Sequence, residues 1–528
     1  MSRSKIPVFL LIVSIAALYG RYLWTPLVFD DQYFFDQKTL DYNAHLHFAL
    51  RWLPFATFAW TAKLLGLELV WLHLGNLLLH AGNCILIYFL LHKLFSETLP
   101  PPEKKALSYR WLAFFGALWF ALHPVSVYAT QYLVQRSMLF ATFFSLLSLL
   151  AYLKGLPEGK KGWFLASAAC YLLAVFSKEH AVMLPAVVLA ATLLYESPSK
   201  KLFSRIAFPY FFFFAIGILV ILLKRNLLGV AYEPYAGEAL ANMPERSHAY
   251  LLSVMTQCLL FFKYLFLWIV PSPAWLSVDM REPVAESLSD WRYLAASLGF
   301  LAYGLLAVRL LFYRGKRGLL GFALFFPWIL FPTELSAIHF QEPFVLYRSY
   351  LWMAGFPALL PIIFHKMERK STLSVLLGVS IAFVPISINR LETFRTSLAL
   401  WDDAAVLIQD RPGLFGEERI YHNRGNALAR AGLMHDALKD YDKAMKIHPD
   451  AFLYNDRGAA YYYLHRYPEA LADYDRSIRL LPGYARPYLG RGLVLKAMQN
   501  PFSAREDILR SCSMGFDAAC EELRKDGG

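Results

Sequence analysis

The chain has 528 residues, of which 57% are apolar and 17% charged, with a mean hydropathy of +0.39. That balance excludes a soluble globular protein of this length and puts the chain in a bilayer. The net charge of +12 does not indicate nucleic acid, because the Lys and Arg residues sit in short loops between apolar runs, where they report orientation.

A helix needs roughly 20 apolar residues to cross the hydrocarbon. In chain order the candidate spans are 7–24, 67–91, 111–127, 137–154, 162–176, 180–195, 206–223, 249–270, 292–312, 318–332, 349–365 and 372–388. The first follows Arg3 and Lys5 and reads as a retained span, since no small-residue cleavage site comes after it. Segment 43–66 is apolar but carries Arg51, Trp52, Pro54 and Trp60, and reads as interfacial.

Lysine and arginine in loops 92–110, 154–161 and 198–205 place those loops in the cytoplasm. Loops 313–317 and 365–370 share the signature, yet strict alternation through every span puts 313–317 on the wrong face. One segment therefore does not cross. The choice falls on 249–270, which follows an amphiphilic stretch, 224–248, and leads into Pro271 and Pro273. It is expected to be re-entrant, leaving about eleven spans. The N-terminus is then cytoplasmic, and loops 25–66, 123–136, 177–179, 224–291 and 333–348 are extracytoplasmic with the C-terminus.

From about residue 412 an internal period appears. Gly425, Ala437 and Pro449 recur as Gly458, Ala470 and Pro482, then as Gly492 and Ala504, at steps of 33 and 34. Tyr421, Tyr454 and Tyr488 hold one slot near each repeat start. Small residues let two antiparallel helices approach and Pro ends the second, so each unit is a helical hairpin stacked on the next, as in tetratricopeptide repeats (TPR). The expected fold is all-α: a polytopic transmembrane domain at 1–390, a connecting helix at 391–411 and a solenoid at 412–528 with three repeats and a capping helix. Tyr461, Tyr462, Tyr463, Tyr474 and Tyr484 supply either aromatic surface for a peptide in the concave groove or repeat core. Cys84, Cys170 and Cys258 lie in apolar runs and read as packing residues. Cys512 and Cys520, eight apart, are a candidate disulfide on an extracytoplasmic module, or else two free thiols in a cytosolic one.

Residues able to carry chemistry cluster at the expected extracytoplasmic rim. After the first span comes Phe29-Asp30-Asp31-Gln32-Tyr33, where paired carboxylates beside aromatic groups suit a general base, or form a helix cap and solvated loop. Arg136, Lys178 and Arg348 stand at span ends on the same face, where orientation has no use for them and a phosphate headgroup does; snorkelling anchors are the alternative. His73, Asn76, His80 and Asn83 form one polar stripe on an apolar helix, to glue helices or face a cavity, and they lack the companions a metal site needs. His123 follows another span and either touches the phosphate or caps its helix. Walker, dinucleotide and serine-hydrolase signatures are missing from the sequence.

At these residues the chain resembles the transmembrane and tetratricopeptide-repeat-containing O-mannosyltransferases and their bacterial relatives, within the GT-C glycosyltransferase superfamily. The matching pieces are Phe29-Asp30-Asp31, His73 to His80, Ala121-Leu122-His123-Pro124-Val125, Gln135-Arg136, Ser177-Lys178-Glu179, Tyr347 to Leu351 and Leu400-Trp401. It departs from them at Tyr128, where an acidic residue is usual, and at Pro54, which stands three residues after Arg51 instead of next to it. The resemblance implies an inverting transfer from a polyprenyl-phosphate sugar to a Ser or Thr hydroxyl of an exported protein, without nucleotide, cofactor or metal. It implies Asp30, with Asp31 second, as base; Arg136, Lys178, Arg348 and His123 on the donor phosphate; and a pocket lined by His73, Asn76, His80, Glu179 and Tyr350. A bacterial inner membrane is the expected location. The alternatives are a non-catalytic scaffold for envelope or pilus assembly and a transferase acting on a lipid or envelope glycan.

Overall fold

The computed structural model describes residues 5–29, 31, 35, 37–46, 49–223, 230–231, 246–340, 342–409, 411 and 413–526. Asp30 lies outside the described residues, as does most of 224–248. Its named secondary-structure elements among the described residues are helices apart from a two-residue parallel strand pair, Val230–Ala231 with Ala337–Ile338, and the chain divides into two compact units, Met1–Thr396 and Ser397–Gly528.

In the first unit, eight helices among the described residues are long and apolar enough to cross a membrane: Lys5–Tyr22, Leu69–Thr98, Leu133–Gly155, Lys200–Leu223, Ala249–Ile269, Trp291–Leu311, Gly315–Leu335 and Arg369–Thr393. A ninth is broken: Tyr109–Leu122 bends by 60° into Pro124–Gln131. The break falls at His123-Pro124, where the Pro ring denies the preceding helix its next amide. The apolar helices Lys161–Ser177 and Glu179–Tyr195 are shorter. Polar pairs tie these helices together where lipid offers no partner. Ser148 and Ser167 each donate to the other's carbonyl at 2.8 Å.

Two segments differ from expectation. Residues 346–363 are not one span but a run of short 3-10 and α turns, because Gly355, Pro357 and Pro361 interrupt any longer helix. Segment 249–270 is one unbroken 21-residue helix rather than a re-entrant loop. Its first turns cluster with Tyr293 at the head of Trp291–Leu311, and its Trp268 stacks on His123 at 4.2 Å. Both are ends that the charge alternation assigns to one face.

The second unit is a stack of antiparallel helix pairs: Glu417–Arg430 with Met434–Ile447, Ala451–Tyr463 with Tyr467–Leu480, and Arg486–Ala497 with Pro501–Ser513, followed by Asp517–Asp526. The repeating glycine is a contact point. A methyl group on Gly425 would stand 2.6 Å from the Tyr441 ring. The turn between the paired helices takes a left-handed residue, Gly432 in the first repeat, but His465 and Gln499 in the next two.

A second repeating device holds the stack. Arg424, Arg457 and Arg491 each grip an Asp of their own repeat with two nitrogens, Asp440, Asp473 and Asp507, at 2.6–2.8 Å. Each sends its remaining nitrogen to a carboxylate one helix earlier: Asp402, Asp442 and Asp475. Helix Ser397–Gln409 thus supplies to the first repeat what each repeat supplies to its successor, and it belongs to the solenoid rather than to a connector. Cys512 and Cys520 are bonded, joining the last two helices with a Cα separation of 4.8 Å.

Candidate active site

One short turn organises the chemistry of the first unit. The chain bends out of the broken helix into the 3-10 turn Leu133–Gln135, which leads directly into Arg136–Gly155. The amides of Leu133 and Val134 donate to Asp31 at 3.2 and 2.9 Å, one to each carboxylate oxygen. Asp31 is fully buried. From the other side, the Lys178 ammonium donates to the Gln135 side chain at 2.8 Å. The acidic loop and the first cation are therefore anchored to the same three residues.

Lys178 also sits over the Tyr347 ring, 5.0 Å from its centre. Burial pushes its ammonium down to about 7; the like charges of Arg51 and Arg348 act in the same direction, against Glu179 and Glu334. Arg348 follows Tyr347 and donates to Glu334 at 3.0 Å. Burial disfavours the guanidinium, but the Glu334 carboxylate outweighs it and holds Arg348 above its ordinary value. The other Glu334 oxygen takes the His180 Nε2 at 2.6 Å, and His339 Nε2 lies 3.7 Å from the oxygen that Arg348 holds. Arg51 makes a two-pronged bond with Glu179. It holds its place with a left-handed backbone, φ 66°, and an amide bond to the Phe176 carbonyl at 2.7 Å.

Beside this group lies a small cleft lined by Phe29, Tyr132, Val278, Asp279, Met280, Glu342, Phe344, Val345 and Tyr347. Phe29 meets Tyr132 edge-on at 5.7 Å and Tyr132 meets Tyr347 at 5.8 Å. Three aromatic rings thus run from the residue before Asp30 to the residue before Arg348. Phe29 holds a left-handed φ of 53°. A bulky residue there costs about 1–3 kcal/mol, a strain that clusters at functional sites.

Other expected site residues go elsewhere. Arg136 is buried, 3.6 Å over the Phe58 ring, and gives its donors to Asn76 Oδ1, Thr57 Oγ1 and the Leu72 carbonyl. It braces helices instead of facing the cleft. His123 accepts the Val125 amide at Nδ1 and donates from Nε2 to the Trp268 carbonyl. It caps the helix after the break. The polar stripe is glue: His73 bonds Thr25, His80 donates to the Ala121 carbonyl and accepts from Tyr350, and Asn83 donates to the Leu139 carbonyl. His73, Asn76, His80 and Tyr350 do not line the cleft, whereas Glu179 reaches the cation group through Arg51. The sequence pattern had not singled out Arg51, His180, Glu334 or His339 for this site. Glu334 had a usable signal, a lone carboxylate closing an apolar run, which by default marks function.

With this geometry in view, the relatives become informative. Over 461 residues the chain is 23% identical to a Drosophila melanogaster protein named protein O-mannosyl-transferase Tmtc3, covering 76% of this chain and 49% of that one. It is 25% identical over 412 residues to human protein O-mannosyl-transferase TMTC4, covering 71% and 55%, and 29% identical over 294 residues to human TMTC2, covering 51% and 32%. The family model described as tetratricopeptide repeat matches residues 451–484. The relatives that the chain resembles are thus named protein O-mannosyl-transferases. The chain spans about half the length of the first two of these relatives.

Proposed function

We propose that the chain is a membrane protein O-glycosyltransferase. It moves a sugar, mannose by the names of its relatives, from a polyprenyl-phosphate carrier to a Ser or Thr hydroxyl of an exported protein, with inversion. The observation that carries this reading is the shared turn Leu133–Gln135, which ties Asp31 on one side and Lys178 on the other next to a cleft.

Asp30 is the base that takes the acceptor proton, as the resemblance implies; its neighbour Phe29 lines the cleft and Asp31 accepts two amides. Asp31 positions the turn. Arg51, Lys178 and Arg348 gather beside the cleft with the carboxylates of Glu179 and Glu334, a cationic group suited to the negative charge of a phosphodiester. Preorganised charge of this kind contributes a few kcal/mol in a transition state. No nucleotide or cofactor enters the chemistry. The site faces the extracytoplasmic side, and the solenoid recruits the acceptor protein there.

The test is transfer by the purified full-length chain in detergent, using polyprenyl-phosphate mannose and a secreted acceptor protein, read by intact mass. A hexose-sized gain that Arg348→Met abolishes supports the reading. An unmodified acceptor that still binds the chain would leave a scaffold in its place.

A further inference from the structure

The mechanism above leaves a buried histidine without a task. His180 is nine-tenths buried, its Nε2 is held by Glu334, and its Nδ1 finds no hydrogen-bond partner among the described residues. A carboxylate on Nε2 fixes the proton there. Nδ1 is then a lone pair in the neutral ring and a second N–H donor in the imidazolium. This is the arrangement by which a carboxylate prepares the far nitrogen of an imidazole for proton transfer.

We propose that the His180–Glu334 dyad is a proton-carrying ligand for the carrier phosphate: the imidazolium donates its Nδ1 proton to that phosphate as the sugar leaves. The inference rests on the lipid-phosphate reading above and goes one step further. Charge supplies the reason. Arg51, Lys178 and Arg348 meet the phosphodiester, but bond cleavage turns that monoanion into a dianion. As the acceptor oxygen bonds the anomeric carbon, the bond from that carbon to the phosphate oxygen breaks and its electron pair stays on phosphate. Asp30 takes the acceptor proton and His180 gives its Nδ1 proton to the phosphate, which departs as a monoanion. Proton return from Asp30 to His180 through solvent resets the site.

The charged groups around the ring are Glu334 and, acting through space, Lys178 and Glu179. Arg348 and His339 stand on the far oxygen of Glu334. With Lys178 and Arg348 near, His180 takes its proton when an anion arrives, so carrier binding is coupled to proton uptake.

Farnesyl phosphate is the probe, titrated calorimetrically into the full-length chain in buffers of different ionisation enthalpy, with His180→Gln for comparison. Glutamine keeps a donor at the ε position for Glu334 and removes Nδ1. The probe's own ionisation is common to both proteins and cancels. Wild type should take up about one more proton than H180Q and bind about tenfold tighter at pH 6.5, the size of one charge-assisted hydrogen bond, with the gap closing by pH 9. Equal uptake and parallel pH curves overturn the dyad while leaving the transferase reading standing. Failure of wild type to bind farnesyl phosphate overturns both, and inorganic phosphate binding as tightly overturns the lipid assignment. Glu334→Gln carries the same comparison if H180Q does not insert, and it should lose the same proton.

Discussion

Asp31 and Asp30 should separate cleanly under the same conservative change. Asp31→Asn keeps the shape of a buried side chain that accepts two amides at 2.9 and 3.2 Å, but removes its charge and turns one acceptor into a donor aimed at an N–H. A hydrogen bond to a charged group contributes about 1.5–3 kcal/mol, and a stranded buried amide costs about as much as it loses. The turn Leu133–Gln135 therefore loses about 3 kcal/mol of support. The full-length protein should melt several degrees lower by tryptophan fluorescence, and the KM for the donor should rise, because Gln135 on that turn holds Lys178. Asp30→Asn should leave the melt unchanged and lower kcat by about 100-fold or more, the usual worth of a positioned base. A D31N protein that melts with wild type, or a D30N protein with undiminished turnover, would refute the division of labour.

The Lys178 ammonium, pushed down to about 7 by burial, gives a pH signature. Its folded value lies below the unfolded one, so the unfolded chain binds more protons between about pH 7 and 10.5, and stability rises with pH across that window. Anion binding needs the charged form, so donor affinity falls as pH rises above 7; Lys178→Met should remove one proton's worth of that slope in a binding titration. Arg136→Met should aggregate or melt early, since it strands Asn76 Oδ1 and the Leu72 carbonyl, whereas Arg348→Met should insert normally and lose transfer by about 100-fold. His465→Gly should stabilise the solenoid by about 0.5–1 kcal/mol, because a left-handed φ of 58° costs a side chain about 1–2 kcal/mol and glycine returns part of that as chain entropy. Slower amide exchange in Ala451–Leu480 would register it.

The solenoid was readable because its packing leaves one position no choice. Gly425 and Gly458 lie under the rings of Tyr441 and Tyr474, so the glycine must recur at the repeat length. The Arg–Asp forks recur at the same step and extend the pattern backwards: Trp401-Asp402 occupies the place of Tyr441-Asp442 and Tyr474-Asp475. Helix Ser397–Gln409 is apolar enough to pass for a connector, and only the partner of its Asp402 carboxylate, Arg424, 22 residues on, reveals its role. In the membrane unit, hydropathy found the spans but overrode local chemistry at 349–365, where Pro357, Pro361 and Gly355 already forbid a regular helix.

The site was legible to the extent that ionisable residues beside apolar runs are costly and so rarely idle. That argument finds Lys178 and Arg348, and it finds Arg136 with equal force. What distinguishes them is the partner. Arg136 spends its donors on neutral oxygens of adjacent helices, so its charge has been absorbed by the fold. Arg348 and Lys178 belong to a group of cations and carboxylates, with aromatic Tyr347 between them and the cleft. A sequence records that a cation is buried, not whether its counter-charge is an amide, a carboxylate or a substrate. Glu334 decides this here. By holding His180 and Arg348 on its two oxygens, it makes their placement a property of the fold, so a ligand that meets them has no need to order them.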